Sequence, residues 1–197
     1  MEPINPFALE NKSILVTGAS SGIGRGIAIA CSHLGAKVII TGRNEDRLNE
    51  TLCKMSSKEH QAVVADLTLD EDISRLVKEL PKLDGIVHCA GIGDRIRCAD
   101  LTREEIGRVM NVNFFAPVLL QAAILANKKL NRSASIVFIA SRAYESPSFG
   151  NSLYSASKGA VVSYSKCLAL ELSSRKIRVN CICPGMVWTK LITNTLD

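Results

Sequence analysis

Six short apolar runs alternate with segments of helical periodicity along this chain, and that alternation restricts the fold more than any other feature. The runs are "SILVTG" (13–18), "KVIITG" (37–42), "AVVAD" (62–66), "GIVHCAG" (85–91), "SIVFIAS" (135–141) and "IRVNCICPG" (177–185). Near-continuous apolar runs of this length, bounded by turn residues, are the pattern of strands buried on both faces. Helical periodicity falls between them, at about 22–34, 44–57, 70–80, 103–128 and 153–175. In the last of these, Val161, Tyr164, Leu168 and Leu172 recur at spacings of three and four and form one buried stripe. Strands alternating with helices predict an α/β fold: a doubly wound parallel sheet with helices on both faces.

At 197 residues with 47% hydrophobic and 22% charged residues, the chain suits one sizeable core, so a single domain over 1–197 is expected. A net charge of +5 is spread as Lys and Arg interleaved with Asp and Glu, which does not build a nucleic-acid surface. The seven cysteines contain no CxxC pair. An odd, unpatterned set argues against a disulfide framework and for a reducing, cytoplasmic setting. The N-terminus "MEPINPFALENK" shows no basic region followed by an apolar run. No unbroken apolar stretch approaches about 18 residues, so neither export nor a membrane partner is expected.

The first strand runs directly into "TGASSGIGRGIA", with Gly18, Gly22 and Gly24 spaced G-x-x-x-G-x-G and a helix beginning at once. Glycine allows backbone angles and close approaches that a Cβ blocks, and a helix N-terminus offers unpaired N–H groups to a phosphate. Strand-to-helix turns also use glycine for packing alone. Here the preceding strand, the following helix and a second strand about twenty residues on complete the dinucleotide fingerprint. That second strand ends "IITGRNEDR", so Gly42 stands where an NAD site usually carries an acidic residue, and Arg43 follows. A guanidinium can hold the 2′-phosphate of NADP(H) bidentately, which makes NADP(H) the expected cofactor.

These pieces, with "ADL" (65–67), "HCAG" (88–91), "NVNFFAP" (111–117), Ser141 thirteen residues before Tyr154, "YSASK" (154–158) and "PGMVWT" (184–189), resemble the short-chain dehydrogenase/reductase family over nearly the whole chain. The 3-oxoacyl reductase-like and carbonyl reductase-like members are the nearest in pattern. The resemblance implies a Rossmann fold and a catalytic set of Asn113, Ser141, Tyr154 and Lys158. It implies cofactor contacts from Gly18, Ser20, Ser21, Gly22, Ile23 and Gly24 of the loop, from Arg43 and Asn44, and from Asp66 and Leu67 beside the adenine. Ala90 and Gly91 would wall the cofactor, Tyr154 and Lys158 would touch it, and Pro184, Gly185, Val187 and Thr189 would lie along the nicotinamide. Hydride exchange between NADP(H) and a small carbonyl or secondary alcohol follows, in a homo-oligomer. The family usually runs about fifty residues further and supplies a seventh strand, which this chain, stopping at Asp197, apparently lacks.

Tyr154 and Lys158 stand four apart on a helix, so they share one face. A phenol of unperturbed pKa about 10 is a poor proton shuttle at neutral pH, and a nearby ammonium together with an oxidised nicotinamide would stabilise its phenolate and lower that value. Ser141 at the end of the fifth strand would hydrogen-bond the same substrate oxygen. The roles of Lys158 on the nicotinamide ribose and of Asn113 in linking Lys158 to solvent rest on the resemblance. One departure is Cys89, where the family usually has asparagine; a thiol at the buried end of a strand reads as a small hydrophobe. Arg142, Tyr144 and Phe149 are placed to line a substrate mouth. No metal site is expected, because His33, His60 and His88 lie at no ligand spacing to Cys181 and Cys183. A hydrolase would need a G-x-S-x-G elbow at Ser141, which is absent. The alternative function is a non-catalytic nucleotide-binding or scaffolding protein, which would have no use for Ser141, Tyr154 and Lys158 together.

Overall fold

The computed structural model describes residues 5–57, 59–93 and 95–189. The strands are β1 (Ser13–Thr17), β2 (Lys37–Gly42), β3 (Gln61–Val64), β4 (Leu83–His88), β5 (Leu130–Ile139) and β6 (Arg178–Ile182). The helices are α1 (Gly22–His33), α2 (Glu45–Leu52), α3 (Asp70–Glu79), α4 (Arg103–Met110), α5 (Ala116–Ala126) and α6 (Ser152–Glu171). Among the described residues the strands form one sheet in the order β3-β2-β1-β4-β5-β6, with every pairing parallel. This is the doubly wound fold that the alternation predicts. Its order reverses between β1 and β4, the point where such sheets open a crevice for ligands.

Side-chain alternation builds two cores. Ile39, Leu15, Ile86 and Ile136 are register partners across four strands and pack with Leu76 of α3, Leu120 of α5 and Val161 of α6. One residue on, Ile40, Val16, Val87 and Val137 turn to the other face, against Ala28 of α1 and Leu48 of α2. A strand covered on both faces must be apolar at successive positions, which is why these runs show no polar alternation. The expected α6 stripe holds, with Val161, Leu168 and Leu172 buried and Tyr164 half-buried against the same core.

Three expectations need correction. β5 begins at Leu130, not near 135, because a left-handed Ser133 (φ 64°) lets the polar stretch "NRS" join the strand. The helical segment 153–175 ends as an α-helix at Glu171 and closes with a 3-10 turn at Ser173–Arg175. The segment 103–128 is interrupted by a π turn at Asn111–Phe115 between α4 and α5. Arg103–Ala126 taken together is long and apolar enough to cross a membrane by length and composition, although Asn111, Asn113 and Gln121 break its apolar run. Its Ala116, Leu120 and Ile124 are nevertheless sealed in the core beside the sheet, as in the core helix of a globular protein.

His88 at the end of β4 is the one histidine buried in the interior. Its ring stacks on Phe138 at a centroid distance of 4.5 Å, and Nε2 lies 3.0 Å from Gln121 Oε1 on α5. Burial disfavours the imidazolium and lowers the His88 pKa to about 4, the Gln121 bond opposing the shift. A depressed basic group binds fewer protons folded than unfolded, so its stabilisation is present above the unfolded value near 6.5 and is lost as pH falls toward 4. We expect this residue alone to remove about 3 kcal/mol between those limits. Urea unfolding of His88→Asn should show a flatter pH slope than the parent over that range.

Candidate active site

The loop between β1 and α1 lies in the crevice. Gly18 has φ +65° and Gly22 φ +53°, and a Cβ on Gly18 would stand 2.7 Å from the Ala90 Cα. Only glycine fits a left-handed position pressed against another backbone. A Cβ on Gly24 would collide with the Gly18 carbonyl, so this glycine closes the loop onto its own helix. Thr17 Oγ1 accepts from Cys89 N at 3.0 Å and Ala90 N at 3.1 Å, tying the loop to the end of β4. At the start of α1, Ser21 has extended backbone and its side chain makes no capping bond. That helix end keeps its dipole and donors for an anion.

On the adenosine side, Gly42 abuts Ser20, with a Cβ position 3.5 Å from Ser20 Oγ. Arg43 is 67% exposed and places Nη1 3.9 Å from Asp66 Oδ2, so the two residues expected there do meet. The other Asp66 oxygen accepts from Thr68 N and Oγ1 at 3.0 and 2.7 Å. Asn44 instead caps α2, its Oδ1 accepting from Arg47 N at 2.8 Å. The Leu67 side chain is buried in the core, which leaves only its main chain for a ligand.

The catalytic candidates converge at the ends of β4 and β5. Asn113 sits in the π turn, a local widening often found at functional sites. Its Oδ1 accepts from Ile92 N at 2.8 Å, and its Nδ2 lies 3.0 Å from both Ile92 O and Ser157 Oγ. Lys158 is 6% exposed, donates from Nζ to Ile139 O at 2.9 Å and lies 5.7 Å from the Tyr154 ring centroid. A Cβ on Gly91 would stand 3.2 Å from Asn113 Oδ1 and 3.3 Å from Lys158 Nζ. Gly91 thus leaves a cradle floored by an amide and an ammonium, a fit for a hydroxyl-rich ribose.

Burial holds the Lys158 pKa below the ordinary amine value. Burial likewise raises Tyr154 above the ordinary phenol value, and the hydrogen bond from Ser141 opposes it. Ser141 Oγ also accepts from Ala143 N at 3.1 Å. Burial pushes the Cys89 thiol up to about 11 against the lowering effect of Lys158, the behaviour of a small hydrophobe. The segment after β6 is held to this site, since Arg142 N donates to Pro184 O at 2.9 Å. Thr189 reaches the loop, 3.3 Å from the Cβ position of Gly22. Gly185 and Val187 are exposed between those anchors.

Sequence reasoning missed Thr17 and Ser157. Both are buried hydroxyls in the stretches "LVTG" and "YSASK"; a hydroxyl that the apolar run did not require was the available signal.

A glycine loop on a helix N-terminus at the reversal of a parallel sheet defines a dinucleotide-binding α/β protein. The pattern of the short chain dehydrogenase family matches residues 12–197. The L-xylulose reductase of Caenorhabditis elegans is 35% identical over 191 residues, covering 94% of this chain and 75% of that protein. The crystal structure of the 3-ketoacyl-(acyl-carrier-protein) reductase of Brucella melitensis complexed with NADH superimposes with a TM-score of 0.87 at 31% identity, over 94% of this chain and 80% of that one. A short chain dehydrogenase of Escherichia coli CFT073 complexed with NADPH gives a TM-score of 0.84 at 34% identity, over 92% and 80%. This chain belongs to the short-chain dehydrogenase/reductase family and is an oxidoreductase of carbonyl or alcohol substrates that uses a nicotinamide dinucleotide.

Gly18→Ala introduces a Cβ at positive φ with backbone 2.7 Å away. It should cost about 2 kcal/mol or more and weaken dinucleotide binding in the molecules that fold. Chemical denaturation and a cofactor titration on the same sample check both.

Proposed function

We propose that the protein is an NADP(H)-dependent carbonyl reductase or alcohol dehydrogenase with Tyr154 as its general acid and base. The observation that carries this reading is the buried Lys158 ammonium, 5.7 Å from the Tyr154 ring centroid, at the rim of the Gly91 cradle. The cofactor residues fit a dinucleotide: the α1 N-terminus and loop 18–24 would hold the pyrophosphate, Arg43 the 2′-phosphate, and Lys158 the nicotinamide ribose. A nicotinamide held there would supply the hydride exchanged with the substrate carbon. Tyr154, which burial keeps protonated at neutral pH, donates its proton to the carbonyl oxygen in reduction and takes it back in oxidation. Ser141 hydrogen-bonds the same oxygen and stabilises its developing charge. Asn113, held by Ile92 and Ser157, keeps the π turn against the Lys158 pocket. Arg142, Tyr144 and Phe149 line the side from which a small carbonyl enters.

The family match over residues 12–197 supports one catalytic unit. Exposed Ile106, Phe115 and Leu119 along α4 and α5 support a homo-oligomer, and seven free cysteines support a reducing, cytoplasmic compartment.

NADPH should bind at least tenfold more tightly than NADH, a difference of about 1.4 kcal/mol within reach of one charge-assisted bidentate contact. Arg43→Ala should narrow that gap mainly by weakening NADPH. Equal affinities in the parent would remove the 2′-phosphate assignment.

The chemistry is tested by an NADPH-oxidation screen over ketones, 3-oxoacyl thioesters and sugars, followed by Tyr154→Phe on the best substrate. Losing the acid while keeping the ring should slow turnover by roughly a hundredfold or more with NADPH affinity nearly unchanged. Turnover within a few-fold of the parent would exclude Tyr154 as the proton donor.

A further inference from the structure

The arginine of "GIGRG" is explained neither by the glycine spacing nor by the catalytic set. Its side chain leaves the first turn of α1 and enters α2. Nε donates to Thr51 Oγ1 at 3.0 Å. Nη2 lies 2.7 Å from the Ser20 carbonyl, 3.0 Å from the Arg47 carbonyl and 2.9 Å from Glu50 Oε2. Thr51 is fully buried, and its hydroxyl has two acceptors, the Ala19 carbonyl at 2.9 Å and the Arg47 carbonyl at 3.0 Å. The Ser20 carbonyl is therefore held by Arg25 of α1, and the Ala19 carbonyl shares the one Thr51 hydroxyl proton with the Arg47 carbonyl, so two consecutive residues of the phosphate loop are engaged by side chains that meet at α2.

In a trans peptide the C=O of one residue and the N–H of the next point in opposite directions. Holding the Ala19 and Ser20 carbonyls toward α2 turns the N–H groups of Ser20 and Ser21 away from it. The same bonds reach the far end of the cofactor crevice. Arg47, whose carbonyl Arg25 engages, donates its own N–H to the Asn44 cap, next to Arg43. Ser20 in turn touches Gly42.

We propose that Arg25 and Thr51 are positioning residues that orient the Ser20 and Ser21 amides toward the cofactor's phosphates and lock the loop in register with the end of β2. The proposal rests on the dinucleotide reading of this crevice but not on the choice of NADP over NAD, because the pyrophosphate is common to both.

The test is a fluorescence titration of the intact chain with NADPH and with NADH, for the parent and for Arg25→Met, Arg25→Lys and Thr51→Val, with binding stoichiometry and thermal midpoint measured on each sample. Arg25→Met should weaken both cofactors at least tenfold at an unchanged stoichiometry of about one. Arg25→Lys should recover part of that loss, since an ammonium can serve the Ser20 carbonyl but not every acceptor at once. Thr51→Val, which keeps the shape, should weaken both cofactors about threefold or more. Combined with Arg25→Met it should add less than its separate effect, because the two side chains hold one loop. A folded Arg25→Met with parental affinity overturns the proposal. So does a loss in Arg25→Met that lysine does not relieve while Thr51→Val binds as the parent does. Should Arg25→Met fail to fold, parental affinities in Arg25→Lys and Thr51→Val together overturn it. A parent that binds neither cofactor overturns the dinucleotide reading and this proposal with it, whereas a parent that binds both equally removes only the NADP assignment.

Discussion

The contact between the β1 loop and the end of β4 is the constraint on which the rest of the site depends. Gly18 lies so close to Ala90 that a methyl group cannot be inserted, and the Thr17 hydroxyl serves two successive amides of the β4 loop. Those amides lie where the parallel ladder has ended and have no strand partner to satisfy them, so a side chain from β1 substitutes for the sheet. The result is a narrow floor between two loops. It places the phosphate-binding helix end on one side and Gly91, with Asn113 and Lys158 beneath it, on the other.

The catalytic side is built from buried polar groups, which are costly unless partnered. Lys158 sits almost fully enclosed with its ammonium on a main-chain carbonyl of β5. One neutral acceptor does not replace the hydration of a cation, so the site stores an unmet demand for hydrogen-bond acceptors. A ribose hydroxyl can meet that demand, which gives the lysine a reason to be interior. The π turn contributes in the same way. The wider turn brings Asn113 to Ile92 and Ser157 at once, joining the β4 loop, the π turn and α6 through one side chain. Because that amide is already shared among three partners, its first effect is to set the spacing of the elements around Lys158.

The sheet was legible in the sequence because its strands are buried on both faces, and burial writes itself as unbroken Val, Ile and Leu. The glycine loop and the Tyr154–Lys158 spacing were legible because the chemistry imposes fixed intervals along one chain segment. β5 was read short because "NRS" is polar, and a single left-handed serine carries the strand past it with no apolar trace. The π turn was invisible for another reason: one extra residue in a turn leaves an apolar helix looking apolar on either side. Thr17, Thr51 and Ser157 show in sequence only as hydroxyls, with nothing to name their partners. Thr17 works on Cys89, 72 residues away in the chain, and only the parallel crossover brings the two together. Spacing on a helix reports the proximity of Tyr154 to Lys158 and says nothing of burial, which raises the phenol here.

The two ends of the crevice are made with different stiffness, and this bears on how such a protein can change substrate without losing its chemistry. On the phosphate side, the loop carbonyls are tied to α2 by the buried Thr51 and the half-buried Arg25, and the glycines leave no room for drift. Around Ser141 and Tyr154, the polar atoms answer to one another and to main chain on β5. On the loops after β5 and β6, Phe149, Met186 and Trp188 are large, apolar and exposed. A residue with few neighbours can be exchanged without leaving a cavity or an orphaned donor. Substitutions there leave the packing of the glycine loop and of Ser141 and Tyr154 in place. The residues that hold the crevice are thus embedded in packed elements, and the freely exchangeable ones are carried on the loops that follow β5 and β6.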